Sequence, residues 1–146
     1  MVADRLTDGV RIGQLLASEV SGNEGRLRRL ALADADPDAE PTTDGALAYR
    51  IVCAGADGDA DPETIGTADA VLVAEVYVQP DRVRIEFVAG VDDGTDLPSV
   101  AAAAADEAGL RVRPKAVRPP RTLVFVEDGA QVKRALPVLA AVVDAI

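Results

Sequence analysis

Val71–Ala89 reads VLVAEVYVQPDRVRIEFVA, two alternating runs either side of a Pro-Asp pair. Because successive strand side chains point to opposite faces, Leu72, Ala74, Val76 and Val78 share one face and Val73, Glu75, Tyr77 and Gln79 the other. After the turn, Val83, Ile85, Phe87 and Ala89 alternate with Arg82, Arg84, Glu86 and Val88. The pattern predicts a hairpin with one apolar and one mainly polar face. Setting Val78 opposite Val83 gathers the apolar residues together, whereas a slip of one residue would bury Glu75 beside Phe87. Glu75 then faces Glu86, and Tyr77 faces Arg84. Pro80 cannot take positive φ, so a loop built on a type I turn is expected rather than type I′.

Upstream, Leu6, Val10, Gly13, Leu16 or Ala17, and Val20 recur at helical spacing, with Ile12 and Leu15 widening the stripe. A helix within Ala3–Ser21 follows. Gly9 and Gly13 weaken it by about 1 kcal/mol each relative to Ala, which close packing against a sheet would explain. Leu27–Ala33 reads as a short strand, and Ala46–Ala54 as a second in which Leu47, Tyr49, Ile51 and Cys53 point one way. Between them lies the acidic loop 34–45, and a second acidic loop, 54–69, precedes the hairpin.

Downstream, Pro98 in a first turn and Gly109 after a last turn bracket a helix over Pro98–Ala108, which contains five consecutive alanines. Leu110–Val117 alternates apolar residues with Arg111, Arg113 and Lys115. Thr122–Val126, TLVFV, is apolar on both faces and is expected to be central. A helix over Ala130–Ala145 carries no charge between Arg134 and Asp144. Such a helix must be buried on more than one side, either in the core or against a second copy, and Pro137 should kink it. Self-association through this helix is the expectation.

The element order lacks the strand–helix alternation of a parallel α/β fold. It predicts a single α+β domain over 1–146, with a largely antiparallel sheet of about five or six strands and three helices on its apolar face. The order resembles secretion-chaperone-like α+β domains, which run helix, three strands, helix, two strands, helix. This chain has one additional early strand and shares no motif with them, so no functional residue carries across.

The chain holds 25 acidic and 15 basic side chains, a net charge of −10, with Lys115 and Lys133 as its lysines. Runs such as Asp34-Ala35-Asp36-Pro37-Asp38 and Asp57-Gly58-Asp59-Ala60-Asp61, with small apolar residues, resemble an uncharacterised family of acidic proteins from salt-loving archaea. The resemblance is compositional. It implies a high-salt cytoplasm and no activity. Self-repulsion at this charge is relieved as the Debye length falls to about 3 Å at 1 M salt, so folding is expected to depend on salt. No leader-like or membrane-spanning apolar run is visible. The lone Cys53 fits a reducing compartment and reads as a small buried hydrophobe.

Catalytic signatures are scarce. With no His and a single Cys, the serine triad and zinc clusters are excluded. No Gly-rich phosphate loop follows a strand. Asp57, Asp59 and Asp61, like Asp34, Asp36 and Asp38, have calcium-loop spacing, but the sixth-position Gly and closing Glu are missing in both. No metal and no cofactor are therefore expected.

Two constellations remain. Glu75 opposite Glu86, with Tyr77 and Arg84 beside them, places like charges across a ladder and calls for a cation, a shared proton or a flanking arginine. Arg111, Arg113, Lys115, Arg118 and Arg121 form a basic run, three on one strand face and two in the proline-stiffened turn behind it. Arginine suits bidentate contact with phosphate or carboxylate, although internal pairing with Glu75, Glu86 or the acidic loops would also account for the run. The sequence thus points to a non-catalytic binding or adaptor domain, homodimeric and cytoplasmic. The alternative is nucleic-acid or phosphate binding through 111–121, and an enzyme built on Glu75 and Glu86 stands behind both.

Overall fold

The computed structural model describes residues 7–22, 27, 29–36, 38–53, 71–88, 96–117 and 120–145. Its elements run α1 (Gly9–Gly22), β1 (Leu30–Ala33), β2 (Ala46–Cys53), β3 (Val71–Gln79), β4 (Arg82–Phe87), α2 (Leu97–Glu107), β5 (Arg111–Lys115), β6 (Arg121–Val126) and α3 (Gly129–Ala145). The strands form one six-stranded sheet ordered β1-β2-β3-β4-β6-β5, and every pairing is antiparallel. The α+β architecture expected from the sequence is the one observed. The acidic loop 54–69 lies outside the described residues.

The hairpin has the expected register: Val78 pairs with Val83, Tyr77 with Arg84 and Glu75 with Glu86. Neither Pro80 nor Asp81 takes positive φ, which excludes type I′ as the proline requires. Its apolar residues Ala74, Val76, Val78, Val83, Ile85 and Phe87 join a single core with Ile12, Leu16 and Val20 of α1, Ala101 and Ala105 of α2, and Ala135, Val138, Leu139 and Val142 of α3. All three helices lie on that apolar face. Among the described residues, no helix covers the other.

Several boundaries and faces differ from expectation. Helix α1 begins at Gly9, where Asp8 caps it by accepting from the Val10 and Arg11 amides at 3.0 and 3.4 Å, and residues 1–6 of the expected span lie outside the described residues. Leu15, expected to widen the apolar stripe, is exposed. Strand β1 is shorter than Leu27–Ala33, since the Leu30 amide donates to the Leu27 carbonyl and closes a turn there. In β2 the register shifts between Leu47–Tyr77 and Tyr49–Val76. That bulge places Leu47 on the polar side while Ala48 and Tyr49 are buried. A second shift, between Ile51–Ala74 and Val52–Leu72, skips Val73. Val73 is fully buried and Leu72 only half-buried, the reverse of simple alternation.

Gly9 explains the docking of α1 on the hairpin. A Cβ built there would lie 1.8 Å from the Gln79 carbonyl oxygen and 2.8 Å from that of Arg82. The Gly9 amide also donates to the Pro80 carbonyl at 3.1 Å. Tyr49, from the opposite side of the same contact, donates its buried hydroxyl to the Gly13 carbonyl at 2.7 Å.

Helix α2 is capped by Asp96, which accepts from the Ser99 amide, with Pro98 in the first turn as expected. Helix α3 is one helix through Pro137, which is exposed. Lys133, whose carbonyl loses its intrahelical donor there, is exposed too, so water can replace it. Contacts from α1, α2 and β6 surround α3, and Val132, Ala135, Val138, Leu139, Ala140, Val142 and Val143 are buried within one chain. Most of its charge-free run is buried within one chain, with Leu136 and Ala141 half-buried and Pro137 exposed.

Strand β6 is flanked by β4 and β5, as its apolar sequence suggested, but its two faces differ: Thr122, Val124 and Val126 are buried, while Leu123 and Phe125 are half-buried on the polar side. The sheet edges are short and awkward to extend. Strand β1 has four residues, and β5 combines Pro114, which has no N–H to give, with three cations.

Candidate functional site: the charged face of the sheet

Register fixes which side chains meet on the polar face. Reading across the strands, one row is Arg50, Glu75, Glu86, Leu123 and Arg113. The next is Leu47, Tyr77, Arg84, Phe125 and Arg111. Lys115 pairs with Arg121 at the end of β5 and β6. Arg121 is thus the first residue of β6 and not part of a turn, which is a correction to the expectation. Arg118 lies outside the described residues.

The paired glutamates are 7% and 1% exposed, yet neither enters the core. Cations bury them. Arg121 Nη1 bridges the two, donating to Glu75 Oε1 at 2.7 Å and Glu86 Oε1 at 3.0 Å. Arg50 Nε donates to Glu75 Oε2 at 3.0 Å, and the Tyr77 hydroxyl to Glu75 Oε1 at 2.9 Å. Glu86 accepts from Lys115 Nζ at 3.1 and 3.3 Å and from Arg84 through Nε at 3.0 Å and Nη2 at 2.9 Å. Of the explanations open for like charges across this ladder, flanking cations are the one present.

The cations are themselves held. Arg50 Nη1 reaches Asp34 Oδ2 at 2.8 Å, and Asp34 takes a left-handed φ of 52° that Asp tolerates. Arg84 Nη1 donates to the Asp44 carbonyl at 2.9 Å, and its guanidinium stacks 4.6 Å from the Tyr77 ring centroid. Gly45 permits this approach: its φ is +94°, and a Cβ there would meet Arg84 Nη1 and Tyr77 Cβ at 3.0 Å. The acidic loop 34–45 therefore clamps the network from one side.

Electrostatics follow from this packing. Burial alone would raise both carboxyls, but hydrogen bonds from Tyr77, Arg121 and Arg50 hold Glu75 below the ordinary range. Against the same opposition, hydrogen bonds from Lys115 and Arg121, with the charges of Arg84 and Lys115, do so for Glu86. Tyr77 is pushed up by burial and by its bond to Glu75. Both glutamates stay ionised at neutral pH, so neither holds a proton to donate, and each of their oxygens already accepts at least one hydrogen bond. General acid–base work by this pair has no physical support.

The basic run divides in two. Lys115 and Arg121 are committed to the glutamates. Arg111 is 61% exposed and among the described residues pairs only with Glu127, at 3.7 Å, an acid that Arg82 engages at 3.1 Å. Arg113 is exposed and makes no ion pair among the described residues. Sequence reasoning overlooked Phe125, which lies between Arg84 and Arg111 on this face. The signal was there, since Phe125 shares parity with Arg121 and Glu127.

Elsewhere, an open cleft of about 160 Å³ lies between α1 and residues 32–39, with Val10, Ala17, Leu32 and Tyr49 in its wall. It is small beside the ~300 Å³ at which ligand pockets begin. Cys53 is buried, and burial pushes its thiol up despite the charge of Arg29. Among the described residues, no cluster of three or more His, Cys, Asp or Glu side chains could hold a metal ion. Among them, too, no helix is long and apolar enough to cross a membrane.

A purely antiparallel sheet with three helices on one face and a cation-rich opposite face defines the class of domain. Over residues 1–146 the chain matches a family of unknown function, DUF7993, and it belongs to that family. No curated protein and no solved structure matches it.

Proposed function

We propose that this chain is a non-catalytic binding domain that presents the charged face of its sheet to an anionic partner. The observation that carries this is the composition of that face. Strand β2 supplies Arg50, β4 supplies Arg82 and Arg84, β6 supplies Arg121, and β5 supplies Arg111, Arg113 and Lys115, seven of the chain's 15 basic residues. Against them stand Glu75, Glu86 and Glu127, with Asp34 and Asp81 at the edges. A face with excess positive charge in a chain of net charge −10 concentrates anions locally. The paired carboxylates, ionised and hydrogen-bonded at every oxygen, support a binding role over a catalytic one.

Titration with labelled polyphosphate and polyglutamate tests the proposal. Both should bind in dilute buffer, weaken as salt rises, and bind less to Arg111→Glu/Arg113→Glu than to the parent. Absence of binding by either polymer at the lowest salt that maintains the fold would rule it out.

The acidic remainder of the chain supports a second part of the proposal, a working environment of high salt in the cytoplasm. Screening within about 3 Å at 1 M salt removes most long-range repulsion. The melting temperature should therefore rise from dilute buffer to molar KCl, and a flat profile would reject the adaptation.

A further inference from the structure

We infer that the β5–β6 end of the charged face binds single-stranded nucleic acid, with bases stacked on Phe125 beside Leu123 and phosphates held by Arg111 and Arg113. This rests on the anion-binding reading above and names its ligand class. Leu123 and Phe125 are cross-strand neighbours of Arg113 and Arg111 respectively. The four side chains therefore form a block, apolar on β6 and cationic on β5. On each strand the two residues are two apart, so their Cα atoms are separated by about 6.8 Å. A polynucleotide lying along the strands would set its sugar-phosphate backbone over the edge strand and turn its bases inward.

Charge complementarity selects a polyanion, because Arg113 makes no ion pair among the described residues and Arg111 is 61% exposed with only the longer contact to Glu127. The adjoining apolar pair selects bases over carboxylates. Every base has a flat face that an aromatic ring can stack on, whereas an acidic peptide gains nothing from Phe125. A duplex hides those faces, so the single strand is the form that fits. Stacking also survives salt, which matters on a protein whose net charge is −10.

Anisotropy titrations of the full chain with labelled oligothymidylate and oligouridylate across a salt series test this, with polyglutamate and duplex DNA as competitors. Binding of the single strands should weaken with salt at a log–log slope near −1.4, as two phosphate contacts require. Arg113→Ala should make that slope shallower by about 0.7. Phe125→Leu keeps an apolar group in place and should weaken binding about ten-fold at every salt concentration. If single strands and polyglutamate bind alike and Phe125→Leu changes neither, the face recognises charge alone: the nucleic-acid inference falls and the anion-binding reading stands. If duplex competes as well as single strand, the stacking assignment falls. If none of the polymers binds, both fall. Circular dichroism of each variant separates lost contact from lost fold.

Discussion

Gly9→Ala should lower the unfolding free energy by about 2 kcal/mol, although alanine is the better helix former. Its methyl group would sit 1.8 Å from the Gln79 carbonyl oxygen and 2.8 Å from that of Arg82, both main-chain atoms that no rotamer change can clear. Either α1 lifts from the turn, breaking the Gly9–Pro80 hydrogen bond, or the hairpin end deforms. Overpacking of this kind costs about 1–3 kcal/mol, the lost hydrogen bond adds about 1, and helix propensity returns at most about 1. Gly13→Ala is the internal control. Its methyl would meet Val78 and Val83 methyl carbons at 3.5 and 3.6 Å, ordinary contact distances, so the propensity gain of up to about 1 kcal/mol should survive. Urea melts of the two variants decide the matter. Equal effects would mean that α1 does not rest on the hairpin turn as described.

Glu86→Gln should cost about 3 kcal/mol, at the lower end for breaking a buried ion pair. Glu86 is 1% exposed and takes bonds from Arg84, Lys115 and Arg121. Its neutral amide leaves Arg121 with Glu75, and Arg84 and Lys115 with no carboxylate partner among the described residues. Lys115, whose side chain is 39% exposed, can turn to water, which keeps the loss from being larger. The same network sets the acid limit of the parent. Both folded-state carboxyls lie below their ordinary value of 4.5. Their stabilisation is complete above that value and is lost as pH falls through the lowered ones. Acid unfolding of Glu86→Gln should therefore be less steep than that of the parent. Superimposable acid limbs would show that the cluster contributes no proton linkage.

What was legible in the sequence tracks the physics available to it. The hairpin could be read because burial, register and turn chemistry agree over Val71–Phe87, and alternation alone placed Glu75 against Glu86. The pairing of the basic run with those glutamates was foreseeable as an option. Which cations would reach them was not, because β6 inserts between β4 and β5, and that order depends on long-range pairing. Alternation also misplaced Leu47 and Val73, since a bulge shifts parity without any marker residue. TLVFV was legible as a central strand, but apolar character could not distinguish its core face from the half-buried floor of a charged surface. Arg84 stacked on Tyr77 under the 34–45 loop depends on Gly45, a turn former whose contact lies far along the chain.

The place of β6 in the sheet has a consequence for the order of assembly. Strands β2 to β4 are consecutive in sequence and adjacent in the sheet, so they can pair before the later strands arrive, but that meander carries Glu75 and Glu86 side by side. Arg50 and Arg84 temper the repulsion from within it, whereas Arg121 and Lys115 arrive only when the carboxyl-terminal third docks. A nascent chain therefore holds an electrostatic debt until β5 and β6 have been made, and those strands lock the sheet by discharging it.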